Sequence, residues 1–340
     1  MAINENPQSP KEKRYGIAAQ TTWGTAVADA GAFMELDCEA FEVDPDIKEL
    51  DINGAHGTQV PRVSDKLIHT NGSSPIVSIS AMLAKHDEFD YFLYAAIGSV
   101  VEGETTPYAK TFTLPTTPPN YGQSAGNFFT VIERDPASSK STKVIDCISK
   151  QLTITLAEGE ALKFAAELQG RGVPSFTSDP SGTWTRSAIA DIWHSEALDR
   201  CTIDFGGGAV SFHLVNFELV IPYELKPIGQ DGSGSFQTFG LTLQPVTWKL
   251  KVVKDADYHT ALTNWSGNTA VDINVGWGNA TPGTDDGDLD FALHGKINAA
   301  TKSNDNVINA ELSGVCLESD DGSTTEALTI VMANAVDRSW

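Results

Sequence analysis

Residues 41–57 read FEVDPDIKELDINGAHG, and residues 217–232 read FELVIPYELKPIGQDG. Both open on Phe-Glu, carry Glu-Leu further on and close on two glycines three positions apart. Glu49, Leu50, Gly54 and Gly57 thus answer to Glu224, Leu225, Gly229 and Gly232. A segment that recurs in this way marks an internal repeat, and a repeat governs the reading of every element around it.

Outward from these segments the pattern recurs as well as the identities. Val77, Ile79, Ala81 and Leu83 alternate with Ser78 and Ser80, as Val246, Trp248, Leu250 and Val252 alternate with Thr247, Lys249 and Lys251. Strict alternation is the mark of a strand with one buried face, and a slip of one residue would exchange the faces. At the same offset Lys85, Glu88, Phe89 and Leu93 meet Lys254, Asp257, Tyr258 and Leu262. Phe89, Phe92, Leu93 and Ala96 fall at helical spacing, as do Tyr258, Ala261, Leu262 and Trp265, which predicts one short helix in each half. A third block, residues 141–173 against 303–336, predicts strand, turn and strand twice: Val144 and Ile145 match Val307 and Ile308, and Glu-Ala-Leu at 160–162 matches 326–328. Leu152, Ile154 and Leu156 share one face of the first hairpin, which turns at Glu158 and Gly159, and Asp320, Asp321 and Gly322 make the turn of the second.

Three matches in one order predict a mainly β chain made of two tandem related units, each of antiparallel strands with one short flanking α-helix that buries its apolar face on them. The boundaries follow: a loose arm over residues 1–14, a first unit over 15–172, a linker over 173–191 where proline, serine and glycine cluster, and a second unit over 192–340. The path from Gly57 to Val77 is longer than that from Gly232 to Val246, so the first unit carries an inserted loop. That loop holds Val60, Val63, Leu67 and Ile68; apolar residues in an extended loop suit docking on another subunit, or a long hairpin folded back on its own unit.

Composition narrows the function classes. The chain has 340 residues, with 23 basic and 45 acidic side chains for a formal net charge of −22. Such a surface repels nucleic acid, and the densest basic cluster is Lys11, Lys13 and Arg14. Solubility and a wall past which DNA slides without sticking both fit that charge. No apolar run approaches the roughly 20 residues of a membrane-spanning helix. The opening MAINENPQSPKEKR is polar and lacks the apolar core of a secretory signal, so a cytosolic product is expected. Cys38, Cys147, Cys201 and Cys316 lie far apart, as free thiols rather than a zinc or redox motif.

Chemistry-bearing patterns are few. The nucleophile-elbow motif G-x-S-x-G is absent, and Gly206, Gly207 and Gly208 lack the lysine of a phosphate loop and read as a turn between strands. The histidines at 56, 69, 86, 194, 213, 259 and 294 form no metal-binding spacing. The acidic run Asp285, Asp286, Asp288 and Asp290 lacks the ligand spacing and terminal glutamate of a calcium loop, which favours a solvated turn over a cation site while leaving both open.

Residues 15–28, YGIAAQTTWGTAVA, followed by Phe33, Met34 and Glu35, resemble the opening of siphophage tail tube proteins. Those proteins commonly begin with a Gly-Ile-Ala-rich stretch, a Thr-Thr-Trp/Tyr-Gly-Thr-Ala core and an aromatic-led strand. The likeness continues more weakly through the strand and helix of each half and the terminal hairpins, and fails in the threonine- and proline-rich inserts. It implies β-sandwich or partly open β-barrel units, here of the duplicated-domain type, with three chains forming a pseudo-hexameric ring and rings stacking into a tube. It further implies no enzymatic activity, no cofactor and a place in the virion after assembly in the host cytoplasm. The implied partners are further copies, the tape measure protein, the tail terminator and distal tail proteins, and double-stranded DNA in passage without tight binding. Lys11, Lys13, Arg14, Val60, Val63, Leu67 and Ile68 become the candidate contacts between rings or subunits. Competing expectations are another β-rich virion component, a distal tail or capsid-decorating protein, and a carbohydrate-binding sandwich using Trp265, Trp277 and Trp340.

Overall fold

A computed structural model of the chain describes residues 13–28, 33–38, 40–46, 48–51, 66–69, 73–114, 127–135, 140–178, 184–186, 192–230, 236–253, 270–279, 281–302, 309–318 and 326–338. The first half contributes β1 (Arg14–Ala19), β2 (Met34–Leu36), β3 (Phe41–Asp44), β4 (Lys48–Asp51), β5 (Lys66–His69), β6 (Ile76–Leu83), α1 (Phe89–Ile97), β7 (Val100–Glu102), β8 (Tyr108–Thr113), β9 (Phe129–Asp135), β10 (Lys140–Ala157) and β11 (Lys163–Ser178). The second contributes β12 (Leu198–Asp204), β13 (Ala209–Ser211), β14 (Leu214–Gln230), β15 (Phe236–Leu243), β16 (Thr247–Val253), β17 (Val271–Trp277), β18 (Leu289–Lys302), β19 (Asn309–Cys316) and β20 (Leu328–Asn334). The chain is mainly β, and every strand pairing is antiparallel.

In the first half the strands pair in the order β2–β1–β9–β10–β11–β6–β3. In the second the order is β13–β12–β17–β18–β19–β16–β14, each strand standing at the same point of the chain sequence as its counterpart. One irregularity coincides. β10 is bulged against β11 between Ser149 and Gln151, and β18 against β19 between Ile297 and Ala299. Two seams join the halves: β10 pairs with β14 from Gln151↔Pro222 to Ala157↔Asn216, and β8 pairs with β20. No circuit of pairings returns to its starting strand, so the described sheet is branched and open rather than closed into a barrel. One apolar cluster runs through both halves, from Ile17, Phe92 and Phe164 to Phe217, Trp248 and Phe291. Each large side chain buried there contributes roughly 1.5–3 kcal/mol over exposure.

Several local expectations change in the fold. The alternation of β6 holds at Val77 and Ile79, which are buried, and then flips: Ala81 is exposed and Met82 buried. A register shift between Phe164 and Ala166 of the paired β11 accompanies the flip, and an unpaired residue in a ladder exchanges the faces beyond it. Through the pairings, Phe41 stands to Ile79 as Phe217 stands to Leu250. Val77 therefore corresponds to Trp248, two residues from the match read in the sequence, a displacement that alternation cannot detect because it preserves the face.

The third block also differs. β10 and β11 form the expected hairpin, with Gly159 at φ 76° in its turn, but β19 and β20 do not pair with each other. Both instead line one edge of β18, so together they take the place of β11 and β18 takes that of β10. The turn expected at Asp320–Gly322 and the second helix, Tyr258–Trp265, lie outside the described residues. β11 runs to Ser178, so the first residues of the stretch read as a linker are paired strand, and Arg14, read as the end of a loose arm, opens β1. The helix α1 is enclosed rather than flanking, since all its residues except Tyr94 are buried. It ends where Gly98 takes φ 77° and donates its N–H to Tyr94 O, the left-handed stop that glycine adopts without strain.

Candidate assembly surfaces

The candidate contact residues scatter. Lys11, Val60 and Val63 lie outside the described residues. Lys13 pairs with Glu133, and Arg14 donates from Nε to Glu35 Oε1 at 2.8 Å while its guanidinium lies 5.3 Å from the Trp184 ring. Both cations are thus engaged by their own chain, because Arg14 opens β1 and β1 pairs with the strands carrying Glu35 and Glu133. Trp184 is buried with Ala18, Phe33 and Ile132, and Thr185 bonds the backbone of Phe33 and Glu35, so the middle of the expected linker is laid along β2.

Leu67 and Ile68 fall in β5, opposite Leu50 and Glu49 of β4. In the second half Leu225 and Glu224 lie opposite Leu241 and Thr242, so the repeated Glu-Leu occupies the same ribbon in both. Gly54, Gly57 and Gly232 are outside the described residues; Gly229 takes φ 70° near the end of β14. The β14–β15 ribbon rests on the first half, where Leu225, Phe239 and Leu241 pack with Trp23, Phe128 and Ile148. The β4–β5 ribbon pairs with no other described strand.

Two strand edges lack a described partner. β3 pairs with β6 along one edge, and no described strand pairs with the other. The outer end of β18, Ala299–Lys302, is covered by β19 on one edge, while β17 reaches only to Gly295 on the other. Unpaired N–H and C=O groups on an antiparallel edge are a template for another chain. Among large apolar residues, Val101 of β7 is 72% exposed, and Ile228 at the ribbon is 48% exposed.

The most perturbed carboxylate is Glu88, which burial pushes up to about 7 against the opposing pull of Lys85, whose Nζ lies 3.0 Å from Oε1. Lys85 also pairs with Asp37, which Arg186 holds in turn. Glu88 has no exposed surface, so this network braces the approach to α1 and offers nothing to a ligand. An open cleft of about 350 Å³ is lined by Thr202, Asp204, Asp272, Asn274, His294 and Glu326 among others. His294 Nδ1 meets Asp272 there, and among the described residues no serine or cysteine lines the cleft. Burial pushes the thiols of Cys38, Cys201 and Cys316 up to about 12, and that of Cys147 well above its ordinary range.

The remaining sequence features find structural uses. Asp204 Oδ1 accepts from the backbone N–H of Gly206, Gly207 and Gly208, so the glycines form the turn between β12 and β13. In the acidic run, Asp288 accepts from the N–H of Asn279, Thr284 and Asp285, and Asp290 pairs with Arg200 and Asn274. Among the described residues no group of three or more His, Cys, Asp or Glu is placed to hold a metal. Trp277, a candidate sugar platform, is buried and donates Nε1–H to His194 O; Trp265 and Trp340 are outside the described residues. No helix among the described residues is long and apolar enough to cross a membrane.

Neither a protein-family model nor a curated protein matches the chain.

Proposed function

We propose that the chain is a structural subunit of the tail tube of a long-tailed bacteriophage, made of two copies of one β unit and acting without catalysis or cofactor. Three chains would supply six units to a ring, rings would stack into a conduit in the virion after assembly in the host cytoplasm, and the tape measure, terminator and distal tail proteins would be its neighbours. The observation that carries this reading is the pairing order met twice in one chain, with an edge strand of the second half already sealed by the first. A unit that covers its neighbour's edge within the chain has a simple route to covering it between chains, and closing a ring of such units removes exposed edges. The resemblance over residues 15–28 supplies the viral setting, and the formal charge of −22 fits a channel that DNA traverses without counterion-releasing contacts.

Electron microscopy of the purified protein tests the reading. Hollow rings or tubes are expected, with three chains per ring by native mass measurement. Compact monomers at every concentration and ionic strength would overturn it.

A further inference from the structure

We infer that copies of the chain join head to tail by repeating its own internal seam: the open edge of β3 in one copy pairs antiparallel with the open outer edge of β18 in the next, in the register by which β14 pairs with β10. This deepens the self-assembly reading above by naming the surfaces, and rests on it for the identity of the partner as a second copy.

The template is explicit. β14 stands to the second half as β3 stands to the first, because Phe217 opposite Leu250 repeats Phe41 opposite Ile79. β18 stands to the second half as β10 stands to the first, because each is covered on one edge by the preceding strand for part of its length and is bulged one step beyond. Beyond that bulge β10 receives β14, with Gln151 opposite Pro222 and Thr153 opposite Val220. Carried across the repeat, Thr153 becomes Thr301 and Val220 becomes Asp44. The seam present once within the chain therefore predicts a second one between chains, with Thr301 opposite Asp44. In the single chain both halves of that second seam lack a described strand partner.

The ribbons point the same way. Beyond its seam β14 continues into the β14–β15 ribbon, which rests on Trp23, Phe128 and Ile148 of the first half. Beyond β3 the chain continues into β4–β5, with Leu50 opposite Leu67 as Leu225 is opposite Leu241, and that ribbon pairs with nothing else described. Both features are occupied where the neighbouring unit belongs to the same chain and open where it would belong to another. Such a contact joins two different surfaces, so it closes into a ring or extends as a filament.

Cysteine pairing tests it. In a Cys38→Ser background, Asp44→Cys with Thr301→Cys places two thiols opposite each other across the seam, within disulfide reach. Mild oxidation should then give a ladder of covalent multimers on a non-reducing gel, while each single variant and the register-shifted pair Asp44→Cys with Ala300→Cys give only a trace. Hydrogen exchange on the unaltered chain is the second measurement: assembly should protect backbone amides within residues 42–46 and 299–302. Rings by microscopy with neither cross-linking nor protection would overturn the seam and leave the tube reading standing. Cross-linked filaments that never close into hollow rings would support the seam and overturn the tube. Absence of any assembly would overturn both.

Discussion

Lys110 Nζ lies 2.7 Å from Asp90 Oδ2, and neither side chain is exposed. The same ammonium donates to Asn334 Oδ1 and to Val336 O, both at 2.9 Å, and Arg338 Nε reaches Asp90 Oδ2 at 2.9 Å. One buried network thus ties α1 and β8 of the first half to the last residue of β20 and to residues that follow it. It reinforces the β8–β20 seam with charge-assisted bonds, which are roughly twice as strong as neutral ones.

Replacing Lys110 by methionine should expose how much the fold depends on that network. Asp90 would keep Arg338 but lose the donor at its centre, and removal of one partner from a buried pair costs about 3 kcal/mol or more. Urea unfolding should show a lower midpoint at an unchanged slope. Asp90→Asn in the same chain should recover part of the loss. A midpoint indistinguishable from that of the parent would mean the pair does not hold the halves together.

Glu88 predicts a pH dependence. An unfolded glutamate releases its proton near its ordinary 4.5, whereas burial keeps Glu88 protonated up to about 7 in the fold. Between those values the folded chain binds the extra proton, so this group makes stability fall as pH rises through the interval and levels off above it. The change is on the order of 3 kcal/mol. Of the charged groups that face it, Lys85 and Arg186 oppose the effect without cancelling it, and the negative charge of Asp37 adds to it. Glu88→Gln should flatten the stability profile between about pH 4.5 and 7 and raise stability at pH 8. Superimposable profiles for parent and variant would refute the assignment.

Gly314 is held by close packing rather than by its dihedral. A Cβ there would lie 2.1 Å from Lys296 O and 2.4 Å from Trp248 Cζ2, so alanine would push β19 away from β18 or displace the buried indole. Overpacking of this kind costs about 1–3 kcal/mol or more. Gly159→Ala provides the contrast, because φ 76° strains any side chain but nothing lies within 4 Å, for about 1 kcal/mol. Thermal unfolding of the two variants should place Gly314→Ala well below Gly159→Ala. The reverse order would show that backbone strain outweighs the contact.

Little of the candidate assembly surface could be read from residue types, because strand edges are made of backbone groups that no residue type marks. The repeat pointed to the Glu-Leu segments, and Glu49–Leu50 and Glu224–Leu225 each lie in an antiparallel two-strand ribbon. Lys13 and Arg14 looked like an arm available to a neighbour because nothing in a basic run announces that Glu133 and Glu35 will be brought beside it. Trp277 looked like a platform because tryptophan carries no mark of burial, and only its bond to His194 O shows where it lies.

By itself the sequence determined what is local and periodic: that the chain is mainly β, that Leu152, Ile154 and Leu156 share a face, and that Gly159 and Gly206–Gly208 turn the chain. Tertiary structure alone decided which edges meet, where the bulge in β6 reverses its faces, that β19 and β20 divide one edge of β18 instead of forming a hairpin, and that Asp90 is buried against Lys110. The reason is physical. Alternation follows from the strand's two-residue period and is written in the side chains, whereas pairing is made by backbone N–H and C=O groups that are nearly alike at every residue. Their partners are chosen only when the packing of the whole core fixes which edges lie side by side.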